Sequence, residues 1–286
     1  MKAGGRLAHH LNGDGRIKTF LRCYLMILVR MLYVTANRDD MLSWLPKGSA
    51  IAEVGVFAGA FSRQILDICQ PRSLHLIDLW KWTYFDWDNP PAKELRNIEG
   101  FKAWAKGVDP PYDGGHPDMM LDRFHAKLVA LSNADRRVSV HKGDSVPVAA
   151  TLPDASLDCV YLDADHHYDS VLADLFAYAP KVNRSGIIWG DDFLDDESRL
   201  DGLYGVIQAV DTFCKRGEFK PLCVVGPSAC QYVIYRQMSP YVDEFLTNLI
   251  NSGKHIIELN DSTVGRFYQR TLRTTKTERG FIASFA

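Results

Sequence analysis

The sequence predicts an α/β fold in which a mostly parallel sheet carries helices on both faces. Three observations lead there. Short apolar runs alternate with helical stretches through residues 44–236, the pattern of strands joined by crossover helices. The first of these runs is followed by a turn with glycines at 55 and 59, a strand-to-helix connection that leaves room for a ligand at the helix N-terminus. The last two runs, 219–226 and 230–236, stand too close for a helical crossover and are expected to pair antiparallel.

Taken in order, residues 1–18 are polar, Gly-rich and aperiodic, an end expected to be mobile with His9 and His10 in solvent. Residues 19–34, TFLRCYLMILVRMLYV, are apolar but interrupted by Arg22 and Arg30, and shorter than the roughly 20 residues of a membrane-spanning helix. They read as an amphipathic helix packed on the domain or on a second subunit, with weak attachment to a membrane surface as the alternative. Residues 1–43 are thus an N-terminal extension, 44–238 the main domain, and 239–286 a tail that opens with an amphipathic helix, YVDEFLTNLI. Strands are expected at 50–56, 73–79, 137–143, 157–163, 186–191, 219–226 and 230–236. Residues 80–125 form an insertion after the second strand and hold four of the six tryptophans. Trp80, Trp82, Tyr84, Phe85 and Trp87 either build an acceptor pocket or pack the insertion onto the domain. The stretch DPPYDGGHP at 109–117 reads as the hinge of a lid.

Bulk properties narrow the class. With 47% hydrophobic and 24% charged residues, the chain can bury a sizeable core. A formal net charge of -2 gives no general attraction to phosphate backbones, so no nucleic-acid partner is expected. The six cysteines show neither paired metal-ligand spacing nor a disulfide framework, which suits reduced thiols in a cytoplasmic protein.

Chemistry concentrates at four strand ends. Glu53 lies at the end of the first strand, where an acid can face an ammonium group, and Phe57 and Ser62 belong to the turn that follows. The glycine spacing is not the GxGxxG of dinucleotide sites. Asp78 closes the second strand, either to accept two ribose hydroxyls or as a solvent-facing strand end. Asp144 and Ser145 follow the third strand, where they cap the next helix or where Asp144 accepts an adenine amino group. The fourth place is 161–193: Asp163, Asp165, His166 and His167 follow one apolar run, and Asp191 and Asp192 follow the next. Ligands of parallel sheets collect at the carboxyl ends of strands, and carboxylates buried there are costly to desolvate unless they hold something.

The glutamate–glycine turn, Asp78, GDS at 143–145 and LDADHHY at 162–168 together resemble the class I S-adenosylmethionine-dependent methyltransferases. More narrowly, IAEVGVFAGAFS, VYLDADHHYDSVLADL and GIIWGDDF are similar to the branch that includes catechol O-methyltransferase and the antibiotic-sugar O-methyltransferases. The resemblance covers residues 44–236. It implies a Rossmann-like methyltransferase fold: a seven-stranded, mostly parallel sheet with an antiparallel last strand. It also implies S-adenosylmethionine held by Glu53, Gly55, Phe57, Gly59, Ser62, Asp78, Asp144, Ser145 and Asp163, and Mg²⁺ held by Asp163, Asp191 and Asp192. The catechol-type enzymes often carry an asparagine as third ligand, so Asp192 makes this site more anionic. His166, three residues after Asp163, stands where the relatives carry a lysine or histidine base, and His167 beside it is the other candidate. Asp165 either orients the imidazole or caps the following helix.

The resulting expectation is a Mg²⁺-assisted O-methyltransferase acting on a hydroxyl of a small molecule such as a glycoside or other natural product. No membrane contact is expected, and a homodimer contact through the apolar N-terminal segment is. The alternatives are a metal-independent small-molecule methyltransferase and an accessory protein that keeps the fold without activity.

Overall fold

The computed structural model describes residues 31–83, 86–92, 95–194, 204–226 and 230–259, together with the backbone of 267–273 and 279–285. In chain order the elements are β1 (Leu32–Thr35), α1 (Arg38–Leu42), β2 (Ala50–Val54), α2 (Ala60–Gln64) continued by a π-helical turn (Ile65–Cys69), and β3 (Ser73–Asp78). The insertion supplies α3 (Leu95–Ala105) and α4 (Pro117–Ala134). Then come β4 (Val138–Lys142), α5 (Ser145–Thr151), β5 (Leu157–Leu162), α6 (Tyr168–Tyr178), β6 (Val182–Gly190) and α7 (Val206–Lys215). The chain continues through β7 (Lys220–Gly226), β8 (Gln231–Tyr235), α8 (Pro240–Asn251) and β9 (His255–Glu258), and a separate hairpin follows, β10 (Phe267–Arg273) and β11 (Arg279–Phe285).

Across the main sheet the order is β4-β3-β2-β5-β6-β8-β7-β1-β9. The run from β4 to β6 is parallel, while β8 lies antiparallel between β6 and β7. All seven expected strands are therefore present, with the expected hairpin. The chain moves outward from β2 to β4 and then returns to place β5 on the other side of β2. That reversal opens a crevice at the carboxyl ends of β2 and β5.

Two further strands make the sheet nine-stranded. β1 pairs parallel with β7, Leu32 beside Cys223, and β9 pairs antiparallel with β1, Leu32 opposite Glu258. The helix expected over 19–34 thus gives way to a strand at its end, while residues 1–30, with His9, His10 and Cys23, lie outside the described residues. Tyr33, Val34 and Thr35 favour extended backbone, and β7 and β9 together take the strand's backbone hydrogen bonds.

Helices cover both faces. One face buries Leu42, Phe61, Ile65, Phe124, Tyr161, Trp189 and Phe245, drawing on α1, α2, α4 and α8. The other packs Val171, Leu175, Ile207 and Val210 of α6 and α7 against Val160, Ile188 and Ile234. α8 shows how sequence sets these helices: Ser239 Oγ accepts from the Val242 amide at 3.2 Å and Pro240 occupies the first helical position. Its apolar stripe, Val242, Phe245, Leu246 and Leu249, is fully inside. Among the described residues no helix is long and apolar enough to cross a membrane.

Candidate active site

The glycine turn is fixed by close approach. Gly55 has φ 90°, and a Cβ there would lie 1.8 Å from the Asp163 carbonyl oxygen, so the turn after β2 and the loop after β5 touch backbone to backbone. Gly59, at φ 76°, opens α2, and a Cβ on it would meet Leu128 of α4 at 2.6 Å. Glu53 is buried and accepts from Ser62 Oγ at 2.5 Å. Burial pushes its carboxyl up to about 8, against the opposing pull of the Ser62 hydroxyl and the Arg38 charge. Asp78 closes this half of the site: one carboxylate oxygen accepts from the Val56 and Phe57 amides, both at 2.8 Å, and the other from the Trp80 amide at 2.6 Å.

The residues after β4 lie at the start of α5. Asp144 is exposed at the N-cap position of α5. The Ser145 hydroxyl donates to Asp174 on α6, and Tyr178 Oη donates to the Ser145 carbonyl at 3.0 Å. Burial raises the Asp174 carboxyl to about 6, the Ser145 bond countering it.

The acidic half follows from strand register. β5 and β6 pair Tyr161 with Trp189 and Leu162 with Gly190, so the next pair in sequence is Asp163 beside Asp191. Tyr161 and Asp163, two apart on a strand, share a face, and Tyr161 Oη lies 2.8 Å from Asp191 Oδ2 and 3.1 Å from Asp163 Oδ2. Between the carboxylates lies a residue from α1: Arg38 Nη1 donates to Asp191 Oδ2 at 2.9 Å and to Asp163 Oδ2 at 3.3 Å. The other oxygen of Asp191 accepts from Gln231 Nε2 and from the Asp192 amide. Gln231, fully buried on β8, also takes the Trp189 indole N–H at 2.8 Å. Burial and the Asp191 charge push the Asp163 carboxyl well above its ordinary range, with Arg38 opposing.

The two histidines have different settings. His166 is largely covered, stacked on Tyr204 at 5.1 Å, with Nε2 3.4 Å from Asp192 Oδ2. His167 is half-exposed at the N-cap of α6, with Nδ1 2.5 Å from Asp165 Oδ1. Asp165 also accepts from Ser170, which ties it to the start of the helix.

Much of the insertion packs on itself. Trp82, Trp87 and Phe101 meet edge to face at 5.1–5.7 Å. Trp80 is buried and donates its indole N–H to the Phe57 carbonyl at 2.9 Å. Trp104, 57% exposed, lies over Phe57 at 5.3 Å and is the aromatic face that this region presents beside the glycine turn. Tyr84 and Phe85 lie outside the described residues. The stretch 109–117 is pinned to α4 by the Asp113–Arg123 and Asp109–Lys127 ion pairs.

Arg38, Tyr161 and Gln231 are site residues that the sequence reading did not select. Tyr161 was accessible from its i, i+2 relation to Asp163, and Gln231 as a lone polar residue in the apolar run CQYVIY. Arg38 carries no local signal. Its presence also decides how the three expected metal ligands are used. Asp163 and Asp191 converge on a guanidinium, Asp192 turns to His166, and among the described residues no group of three ligating side chains is poised around one point. As placed, this donor set fits an organic cation and not a divalent metal.

Comparison with known proteins bears on the whole arrangement. Residues 52–193, just under half of the chain, match a family model described as a methyltransferase domain. Among curated proteins no sequence match is found. A Corynebacterium glutamicum structural-genomics protein is 16% identical, with 72% of this chain and 84% of that one covered, at a TM-score of 0.42. Aeropyrum pernix fibrillarin with natively bound S-adenosyl-L-methionine is 11% identical over 76% and 74% of the two chains, at 0.42. A Staphylococcus aureus protein assigned as a caffeoyl-CoA O-methyltransferase is 10% identical over 79% and 85%, at 0.43. The family match spans the end of β2, the glycine turn, Asp78 and both acidic loops, so residues 52–193 carry a methyltransferase domain.

Proposed function

We propose that the protein transfers a methyl group to a hydroxyl oxygen of a small molecule, such as a glycoside or other natural product. The observation that carries this reading is the contact of Gly55 with the Asp163 carbonyl, because it puts a cofactor turn and an acid–histidine cluster at one sheet edge. S-adenosylmethionine, when bound, supplies a methyl carbon on a sulfonium whose sulfur keeps the bonding electrons when that carbon is attacked. Glu53, Gly55, Phe57, Gly59, Ser62 and Asp78 are the residues that would hold it, Glu53 being the acid placed against its ammonium group. Asp144 and Asp163 flank the same edge, and Ser145 supports it through Asp174.

His166 is the base in this reading. Asp192, 3.4 Å from Nε2, draws the ring proton to that nitrogen and leaves Nδ1 to take the acceptor's hydroxyl proton. Asp192 then balances the imidazolium. His167 is engaged with Asp165 at the helix start. Arg38 favours the metal-independent form of the reaction over the Mg²⁺-assisted form that the resemblance implies.

Calorimetric titration with S-adenosylmethionine, followed by labelled-methyl transfer to a panel of small hydroxyl compounds with RNA and protein as counter-acceptors, tests the proposal. Cofactor binding with transfer to a small molecule is expected. His166→Ala should lower kcat by about 10²- to 10⁴-fold, and His167→Ala should leave it near wild type. Absence of cofactor binding, or transfer only to RNA, would overturn the reading.

A further inference from the structure

The charge balance at the ends of β5 and β6 depends on a residue from far upstream. Arg38 Nη1 faces Tyr161 Oη at 3.3 Å as well as Asp191 Oδ2 at 2.9 Å and Asp163 Oδ2 at 3.3 Å. Its guanidinium carbon stands 4.5 Å from the centre of the Phe61 ring, so an aromatic face on α2 backs the cation. Asp191 has little freedom to turn to another partner, since its Oδ1 is occupied by Gln231 and by the Asp192 amide.

The segment that carries Arg38 is itself anchored. Asp40 accepts from the Asn37 amide at 3.0 Å and pairs with Lys254, after α8, at 2.7 Å. β1 just before it is held between β7 and β9. Arg38 is therefore delivered by built structure, and a metal ion would have to displace a like charge from between the same two oxygens.

We propose that Arg38 is the resident cation of this site, tethered in the place that a divalent metal would take between Asp163 and Asp191, so that the pair binds no divalent metal while Arg38 is present. Its bearing on catalysis rests on the methyltransferase reading, whereas the exclusion of metal does not. The guanidinium, donating to both side chains, relieves the repulsion between Asp163 and Asp191 at this edge.

Mn²⁺ binding followed by electron paramagnetic resonance on the full chain tests this, using wild type, Arg38→Ala, Arg38→Gln, Arg38→Lys, Asp191→Asn and the Arg38→Ala/Asp191→Asn double variant. Circular dichroism and S-adenosylmethionine calorimetry on the same preparations report folding and cofactor binding. No stoichiometric Mn²⁺ site is expected in wild type or Arg38→Lys. A new site, tighter by about tenfold or more, is expected in Arg38→Ala and Arg38→Gln and should be absent from the double variant. A stoichiometric wild-type site removed by Asp191→Asn would overturn the proposal, as would the absence of any gained site in whichever folded neutral variant is obtained. Arg38→Gln keeps length and hydrogen bonding if the alanine variant does not fold, and the wild-type arm is decisive on its own should neither fold. Failure of every preparation to bind S-adenosylmethionine would remove the methyltransferase reading and leave the Mn²⁺ result standing.

Discussion

Asp78 and Asp191 close two strands of one sheet, yet opposite kinds of partner hold them. Asp78 is satisfied by three backbone amides, one two residues ahead and two from the glycine turn after the neighbouring strand β2. Asp191 is satisfied by side chains brought from β5, β8 and the N-terminal α1. The first carboxylate ties its own turn to the glycine turn of the adjacent strand, and the second depends on the whole sheet being assembled. Site geometry on the cofactor side is thus set by one pair of adjacent strands, while on the acidic side it is a property of the whole topology.

Mutations should separate the two. Asp191→Ala leaves Arg38 and Gln231 without their main acceptor, and urea unfolding should show a loss of about 3 kcal/mol; an effect under ~1 kcal/mol would mean that the cluster is a loosely held surface feature. Asp78→Ala frees the Val56 and Phe57 amides. A loss of about 2 kcal/mol is expected, and calorimetry should show cofactor affinity falling with it, because the freed amides belong to the turn. Stability lost with affinity intact would put Asp78 outside the binding site.

Glu53 sharpens the contrast through pH. Its folded carboxyl is raised from 4.5 to about 8, so between those values the unfolded chain has released a proton that the folded chain retains. Its contribution is fully present below the lower value and is lost as pH rises toward the upper one. The slope is at most ~1.4 kcal/mol per pH unit. Glu53→Gln should flatten that part of the stability profile, and an unchanged profile would assign the slope to another group. The smallest effect is expected for Lys254→Ala, since its pair with Asp40 is about one-third exposed on each side; thermal melts should show a cost under ~1 kcal/mol.

The same division governs what could be read from the sequence. Strands from β2 to β8 announce themselves by apolar runs of the right length, and the glycine turn by its spacing, because both signals are contained in a few neighbouring residues. Asp163 and Asp191 were legible as strand-end acids, and their convergence followed from parallel pairing. The partner between them was not, since Arg38 sits 153 positions from Asp191 and reaches it only because β1 docks beside β7. The strand at Leu32–Thr35 was hidden for a related reason: the apolar run before it carries a helical reading until two sheet neighbours claim its backbone. For the tryptophans of the insertion, composition could not separate a pocket from packing, and the edge-to-face contacts of Trp82, Trp87 and Phe101 favour packing.

The pairing of β1 with β7 and β9 has a consequence for the order of events during synthesis. Arg38 leaves the ribosome long before Cys223 and Ile257, the strand neighbours that seat its segment. The two acids it bridges are also made before those neighbours. A nascent chain released as far as Asp191 therefore carries both halves of the charge cluster before β7 and β9 are there to hold β1. Pairings of such sequence separation form slowly, which makes closure of the far edge of the sheet the step that seats Arg38 between the two acids.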